Sequence, residues 1–204
     1  MLVIGLTGSI GMGKSAIAAM FRLRGVAVCD ADAEVHKLYA GAAVPLIEAA
    51  FPGATADGLV DRPKLAAALM ADPSGFKRLE AIVHPLVQRA ERDFLHMEAA
   101  KGAHAAVLEI PLLLETDGDA RVDVVVVVSA PADVQRARVL GRPGMTPEKL
   151  DSLLRRQTSD AEKRARADFI VDTGGSMAQS QAQVDAILAA LTDRVAGAFA
   201  EHWL

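Results

Sequence analysis

The run Leu2-Val-Ile-Gly-Leu-Thr-Gly8-Ser9-Ile10-Gly11-Met12-Gly13-Lys14-Ser15 joins a short apolar stretch to a glycine-rich turn that ends in a lysine and a hydroxyl. Leu2–Leu6 reads as a buried strand and Lys14–Arg24 as the helix that follows. Between them, Gly8 to Ser15 fits G-x-x-x-x-G-K-[ST], the P-loop pattern, in the strand–turn–helix setting that gives the pattern its meaning. Glycines let successive N–H groups turn inward toward phosphate oxygens, and Gly11 allows closer approach still. The helix adds its positive N-terminal end. Lys14 has the reach for β- and γ-phosphates, and the Ser15 hydroxyl is a suitable Mg²⁺ ligand. Gly8, Ser9, Ile10, Gly11, Met12, Gly13, Lys14 and Ser15 are therefore the expected nucleotide-binding residues. No N-K-x-D segment for reading guanine is present, as a switch GTPase would be expected to show.

Outward from this stretch the same rhythm repeats. Gly25–Cys29 reads as a second strand, ended by Asp30-Ala31-Asp32; Ala105–Ile110, Val122–Val128 and Phe169–Asp172 read as three more, the last closed by Gly174 and Gly175. Helical patterns fill the gaps. Ala132–Leu140 is one, and Pro147–Gln157 is another with Thr146 as its N-cap. Ser159 and Glu162 have the spacing of a capping box, and a closing helix runs from Ser176 to the C-terminus. Strands that are continuously apolar and separated by helices imply a parallel sheet covered on both faces. The expected fold is α/β: a three-layer P-loop NTPase fold on a five-stranded parallel sheet. Residues 41–102 break the rhythm with helical patterns, no convincing strand, and prolines at 45, 52, 63, 73 and 85. They read as an all-helical insertion. The expected division is a core of residues 1–40, 103–137 and 167–204, the insertion 41–102, and a helical lid 138–166.

Composition narrows the class. The 204 residues are 51% hydrophobic and 24% charged, as in an ordinary globular protein, and aromatics at 4% leave Ala, Val and Leu to fill the core. Cys29 is the single cysteine, which excludes a disulfide framework and a thiolate metal site. No signal-peptide pattern is seen, and Val122–Val128 is far shorter than the roughly 20 residues that span a bilayer. A cytoplasmic enzyme without membrane association is expected. The net charge of −4 argues against general nucleic-acid binding. Its distribution is uneven: Arg136–Arg166 carries nine basic and four acidic residues, a local +5 in a chain that is otherwise −9. Such a segment suits a polyanionic ligand, the alternative being a solvated helical face.

Three further groups bear on chemistry. Asp30 and Asp32 follow the second strand at its carboxyl end, where ligands gather in open α/β sheets. A carboxylate there takes the proton of an acceptor hydroxyl or holds Mg²⁺ through water, unless Asp32 is simply the N-cap of a helix Ala33–Ala40. Glu109 ends the third strand at the Walker-B position, a second Mg²⁺ candidate, the alternative being a capped strand end; Glu115 follows close behind. In the basic segment Arg142, within the turn Gly141–Gly144, is best placed to meet a transferring phosphoryl group, an interaction worth about 10³ to 10⁵ in rate. Lone histidines such as His36 and His84 are, by themselves, more often packed or surface residues.

In order, Leu6–Ser15, Asp30-Ala-Asp32 with His36, His84-Pro85, Pro111-Leu-Leu-Leu-Glu115, Arg138–Arg142, Arg156-Gln157 and the late strand with its glycine pair resemble the dephospho-CoA kinase family across essentially the whole chain. That family is similar in fold to nucleoside monophosphate kinases. The resemblance implies transfer of the ATP γ-phosphoryl to the ribose 3′-hydroxyl of dephospho-CoA, the last step of coenzyme A synthesis, with Mg²⁺ and with no obligate protein partner. It implies Asp32 as base, Lys14 and Ser15 on phosphate and metal, Arg142 as a lid residue on ATP, and His84 and His36 beside the acceptor. Three positions depart from the family's habit. Glu109 stands where Asp is frequent, Leu114 where Phe is frequent, and Thr173 where Asn is common beside the adenine. A nucleoside acceptor, or a switch protein that only hydrolyses ATP, are the competing readings. The acceptor dependence of phosphorylation separates all three.

Overall fold

Six consecutive residues, Leu2–Thr7, are buried and form β1. A strand buries both its faces only inside a sheet that is covered on both sides. The computed structural model, which describes residues 1–204, puts β1 in that position. After it come α1 (Lys14–Leu23), β2 (Ala27–Asp30), α2 (Ala31–Leu38), α3 (Val44–Ala50), the two-residue strands β3 (Thr55–Ala56) and β4 (Leu59–Val60), α4 (Arg62–Ala71) and α5 (Gly75–Ala100). The rest is β5 (Ala105–Glu109), a 3₁₀ turn, β6 (Val124–Ser129), α6 (Ala132–Leu140), α7 (Pro147–Leu154), α8 (Asp160–Ala165), β7 (Phe169–Asp172), α9 (Met177–Ala190) and a final helical turn Phe199–Trp203.

Five strands form one sheet in the order β2-β5-β1-β6-β7. β1 runs parallel to both neighbours, with Ile4 level with Val107 and Val124. β6 shows why the sheet is double-faced. Val124, Val126 and Val128 pack into the cluster with Ile17, Phe21 and Val184. Val125 and Val127 pack on the opposite face with Leu113 and Leu114. Each such side chain contributes about 1.5 to 3 kcal/mol when taken from water. The β-branched shape suits the pleated surface.

The chain divides into two compact units, residues 1–29 with 95–204, and residues 30–94. The smaller has its own core of Ile47, Phe51, Val60, Leu65 and Leu69. It is mostly helical but not wholly so, because Thr55–Val60 makes a short antiparallel hairpin. Its turn is Asp57-Gly58, both with positive φ (51° and 76°), the pairing that two-residue hairpins favour. Only two residues flank it on each side, too few to show alternation in the sequence. Pro85 does not punctuate either: it lies inside α5, which continues because Leu79, Ile82 and Leu86 pack against the smaller core. That packing outweighs a penalty of about 3 kcal/mol for an interior proline.

The closing helix is shorter than its pattern suggests and ends at Ala190. Beyond it the Asp123 carboxylate accepts from Gly197 and Ala198 N–H, donors that a continuing helix would have spent internally. Arg194 donates to Asp168 and to the Asp123 carbonyl, and Trp203 Nε1 donates to Arg121 O, so the tail is tied to the segments that lead into β6 and β7. No helix is long and apolar enough to cross a membrane.

Candidate active site

The carboxyl end of β1 opens directly into the glycine-rich turn, which Lys14 closes as the first residue of α1. Gly11 shows how tightly that turn is wrapped. Its φ is 80°, and a Cβ there would lie 2.4 Å from Val139 Cγ2 of α6. A side chain at this position is excluded twice, by conformation and by space. Lys14 Nζ donates to the Gly8 carbonyl at 2.8 Å, so the ammonium is held against the loop's own first residue.

The fold brings together Ser15, the hydroxyl of the P-loop pattern, and Glu109, the acid that ends β5. Glu109, level with Leu6 in the sheet, is buried at the end of β5, and the Ser15 hydroxyl donates to its Oε1 at 3.4 Å. Two hard oxygens, one in the first turn of α1 and one at the end of β5, fit Mg²⁺, which takes one or two protein ligands and fills its octahedron with water and phosphate oxygens.

The loop is also held from outside. Gln135 of α6 donates Nε2–H to the Ile10 carbonyl at 2.8 Å, and Ile10 N–H donates to Gln157 Oε1 at 3.2 Å. Thr173, just past β7, donates its hydroxyl to the Met12 carbonyl at 2.7 Å. Arg138 in turn donates to Thr173 Oγ1 at 2.9 Å and to its carbonyl at 2.7 Å. The departure at Thr173 thus acquires a structural role in bracing the cradle. Sequence reading missed Gln135 altogether, and Gln157 entered only as part of a resemblance.

The basic segment separates into two groups. Lys163 is fully buried and pairs with Glu115 at 2.7 Å, while the same carboxylate oxygen accepts from Thr158 N–H at 2.8 Å. Arg136 pairs with Asp151, Arg166 with Asp119, and Arg164 donates to Ser129 Oγ, which itself donates to Asp160. These cations fasten α6, α7 and α8 to the sheet and to one another. Arg142, Arg155 and Arg156 are exposed and make no side-chain hydrogen bond to the chain. A cavity of about 430 Å³ lies at the ends of β6 and β7, lined by Ser129, Pro131, Asp160, Arg164 and Asp172.

Asp32, His36 and His84 belong to the unit 30–94. The structure separates the two aspartates that sequence left together. Asp30 is the N-cap of α2 and accepts from Ala33 N–H at 3.0 Å. The capping role considered for Asp32 falls to Asp30, and Asp32 stands exposed in the first turn. His36 Nδ1 lies 2.8 Å from the Asp32 backbone carbonyl, one helical turn back, so it leaves the Asp32 carboxylate untouched. His84 is exposed on α5.

A phosphate cradle on the central strand of a parallel sheet, with a carboxylate beside its hydroxyl, is what a P-loop kinase needs to hold a nucleoside triphosphate and its metal. The chain is such an ATP-dependent phosphotransferase. A family model described as dephospho-CoA kinase matches residues 2–179, and the chain belongs to that family. A dephospho-CoA kinase of Rhizobium etli is 57% identical over 196 residues, 96% of this chain and 97% of the relative. Among solved structures, a Thermus thermophilus protein shares 36% identity with a TM-score of 0.78, covering 94% of this chain and 98% of the other. The dephospho-CoA kinase of Campylobacter jejuni, 23% identical over 93% of this chain and 96% of its own, has the same fold with a TM-score of 0.71.

Proposed function

We propose that this chain transfers the γ-phosphoryl group of ATP to the ribose 3′-hydroxyl of dephospho-CoA, giving CoA and ADP. The observation that carries the reading is the Gly8–Ser15 cradle with Glu109 beside Ser15, in a chain that belongs to this family over nearly its whole length. The 3′-oxygen attacks the γ-phosphorus, the bond from that phosphorus to the oxygen bridging to the β-phosphate breaks, and ADP leaves. Asp32 takes the hydroxyl proton; its support is its place just past the carboxyl end of β2 and a carboxylate not spent on capping. Lys14 serves the β- and γ-phosphates. Arg142, exposed and without a partner, meets the charge on the group in transfer. Ser15 and Glu109 are the residues that would hold Mg²⁺, which when bound neutralises phosphate charge. His84 and His36 are assigned to acceptor binding on the resemblance. Residues 41–102 are assigned as the acceptor-binding insertion and 138–166 as the lid. A cytoplasmic location, small-molecule partners alone and no nucleic acid belong to the same reading.

The test is an assay of ADP release with ATP, Mg²⁺ and dephospho-CoA, the product identified by mass. CoA formed only when both substrates are present is the expected result. ATP hydrolysis that dephospho-CoA does not alter, or phosphorylation of a nucleoside in its place, would refute the acceptor.

A further inference from the structure

The outside of the phosphate cradle carries more polar structure than the loop needs for its own fold. Ile10 sits at the loop's tip, and both polar groups it contributes are taken by side chains from far along the sequence. Its carbonyl accepts from Gln135 at 2.8 Å, and its N–H donates to Gln157 at 3.2 Å. The needs of the peptide fix the orientation of each amide, because a carbonyl requires the NH₂ end and an N–H requires the oxygen end. Gln135 is buried, 7% exposed, so its amide would be costly there without a partner. The bond to Ile10 meets that need while fixing the loop.

The two glutamines come from different ends of the basic segment. Gln135 is on α6, one turn before Val139, which packs against Gly11. Gln157 follows the turn that ends α7 and comes directly after Arg155 and Arg156, whose guanidinium groups are exposed. Whatever holds Gln157 at the loop also sets where those two cations stand relative to the cradle.

We propose that Gln135 and Gln157 are positioning residues that clamp the Ile10 backbone at its N–H and its carbonyl and couple the basic segment to ATP binding. Neither acts on the reacting atoms. The clamp holds the loop in its phosphate-accepting shape and brings the Arg155–Arg156 pair to the nucleotide. The inference rests on ATP binding by the cradle, not on the identity of the acceptor.

Gln135→Met and Gln157→Met remove the amides at nearly constant volume, and the double variant completes a cycle. ATP affinity is read by calorimetry, alongside KM for dephospho-CoA, kcat and melting temperature. Each single variant is expected to raise the ATP Kd about tenfold. The double variant is expected to be little worse than either single one, because both bonds fix the backbone of one residue. KM for the acceptor should stay within twofold. Ile10 amide exchange in nucleotide-free protein should speed up in Gln157→Met. If the buried Gln135→Met protein does not fold, Gln157→Met carries the test on its part-exposed turn. A folded Gln157→Met protein with ATP Kd within twofold of the parent would overturn the proposal, as would losses in the double variant that multiply as for independent sites. Because the primary readout is ATP binding, failure of the acceptor assignment would leave this result interpretable.

Discussion

Asp30 and Asp32 are two residues apart and chemically identical, yet the fold gives them different work. Asp30 supplies the cap on α2 and Asp32 keeps its carboxylate in solvent. Asn caps a helix about as well as Asp, so Asp30→Asn should leave melting temperature and turnover nearly unchanged. Asp32→Asn should lower kcat by about 10² to 10⁴ with little change in either KM, as expected on losing a general base. The ordering of the two variants in a steady-state assay checks the assignment; a slow Asp30→Asn beside a normal Asp32→Asn would exchange their roles. Lys163 makes a second case at this scale. Its ammonium is fully buried against Glu115, and removing one partner of such a pair strands the other charge. Lys163→Met should therefore cost about 3 kcal/mol, or roughly 6 to 12 °C in melting temperature for a chain of this size. Adding Glu115→Gln should recover part of the loss in calorimetry.

Among the elements, what sequence made legible was whatever the backbone itself demands. The cradle needs glycine at Gly8, where a Cβ would lie 2.4 Å from the Val128 carbonyl oxygen, and that demand is written in the motif. The box at Ser159 and Glu162 and the cap at Thr146 are equally local, and both are found where the spacing predicts them. Gln135 and Gln157 left no such trace, since a side chain that bonds to the backbone of a distant loop imposes no pattern near itself. The hairpin Thr55–Val60 was hidden for another reason: its pairing is too short for alternation, and much of its order comes from a side chain on α3. Glu48 accepts from Gly53 N–H at 2.8 Å, from the Thr55 hydroxyl at 2.6 Å and from Thr55 N–H at 3.1 Å. These bonds, Gly53 first, hold its carboxyl below the ordinary 4.5. A folded value below the unfolded one means that the stabilisation is whole above the unfolded value and is lost as pH falls through the folded one. Parent and Glu48→Gln proteins should thus differ in melting temperature at neutral pH and converge only as pH falls through the depressed folded value. A difference that persists unchanged into acid would show that the carboxylate's charge contributes nothing to the hairpin.

The whole molecule joins an acidic chain to one basic segment, and it holds that segment largely by its own ion pairs, with Arg142, Arg155 and Arg156 exposed. The cradle, its glutamine clamp and the Thr173 brace all lie within residues 1–29 and 95–204. ATP should therefore stabilise that unit as a whole and not only the loop it touches. A ligand at 100 times its Kd adds about 2.7 kcal/mol to a state that alone binds it, or roughly 5 to 11 °C in melting temperature. Mg²⁺-ATP is expected to produce a shift of this order and to slow amide exchange from Ile10 to Ser15, at Gln157 and along β7. Lys14→Met should abolish most of both effects if Lys14 has the proposed role on the β- and γ-phosphates. An equal shift in the Lys14→Met protein would mean that ATP is held elsewhere, and exchange mapped along the chain would then locate it. A shift confined to Ile10–Ser15, with Gln157 and β7 unchanged, would show that the loop binds nucleotide without drawing on the contacts that brace it.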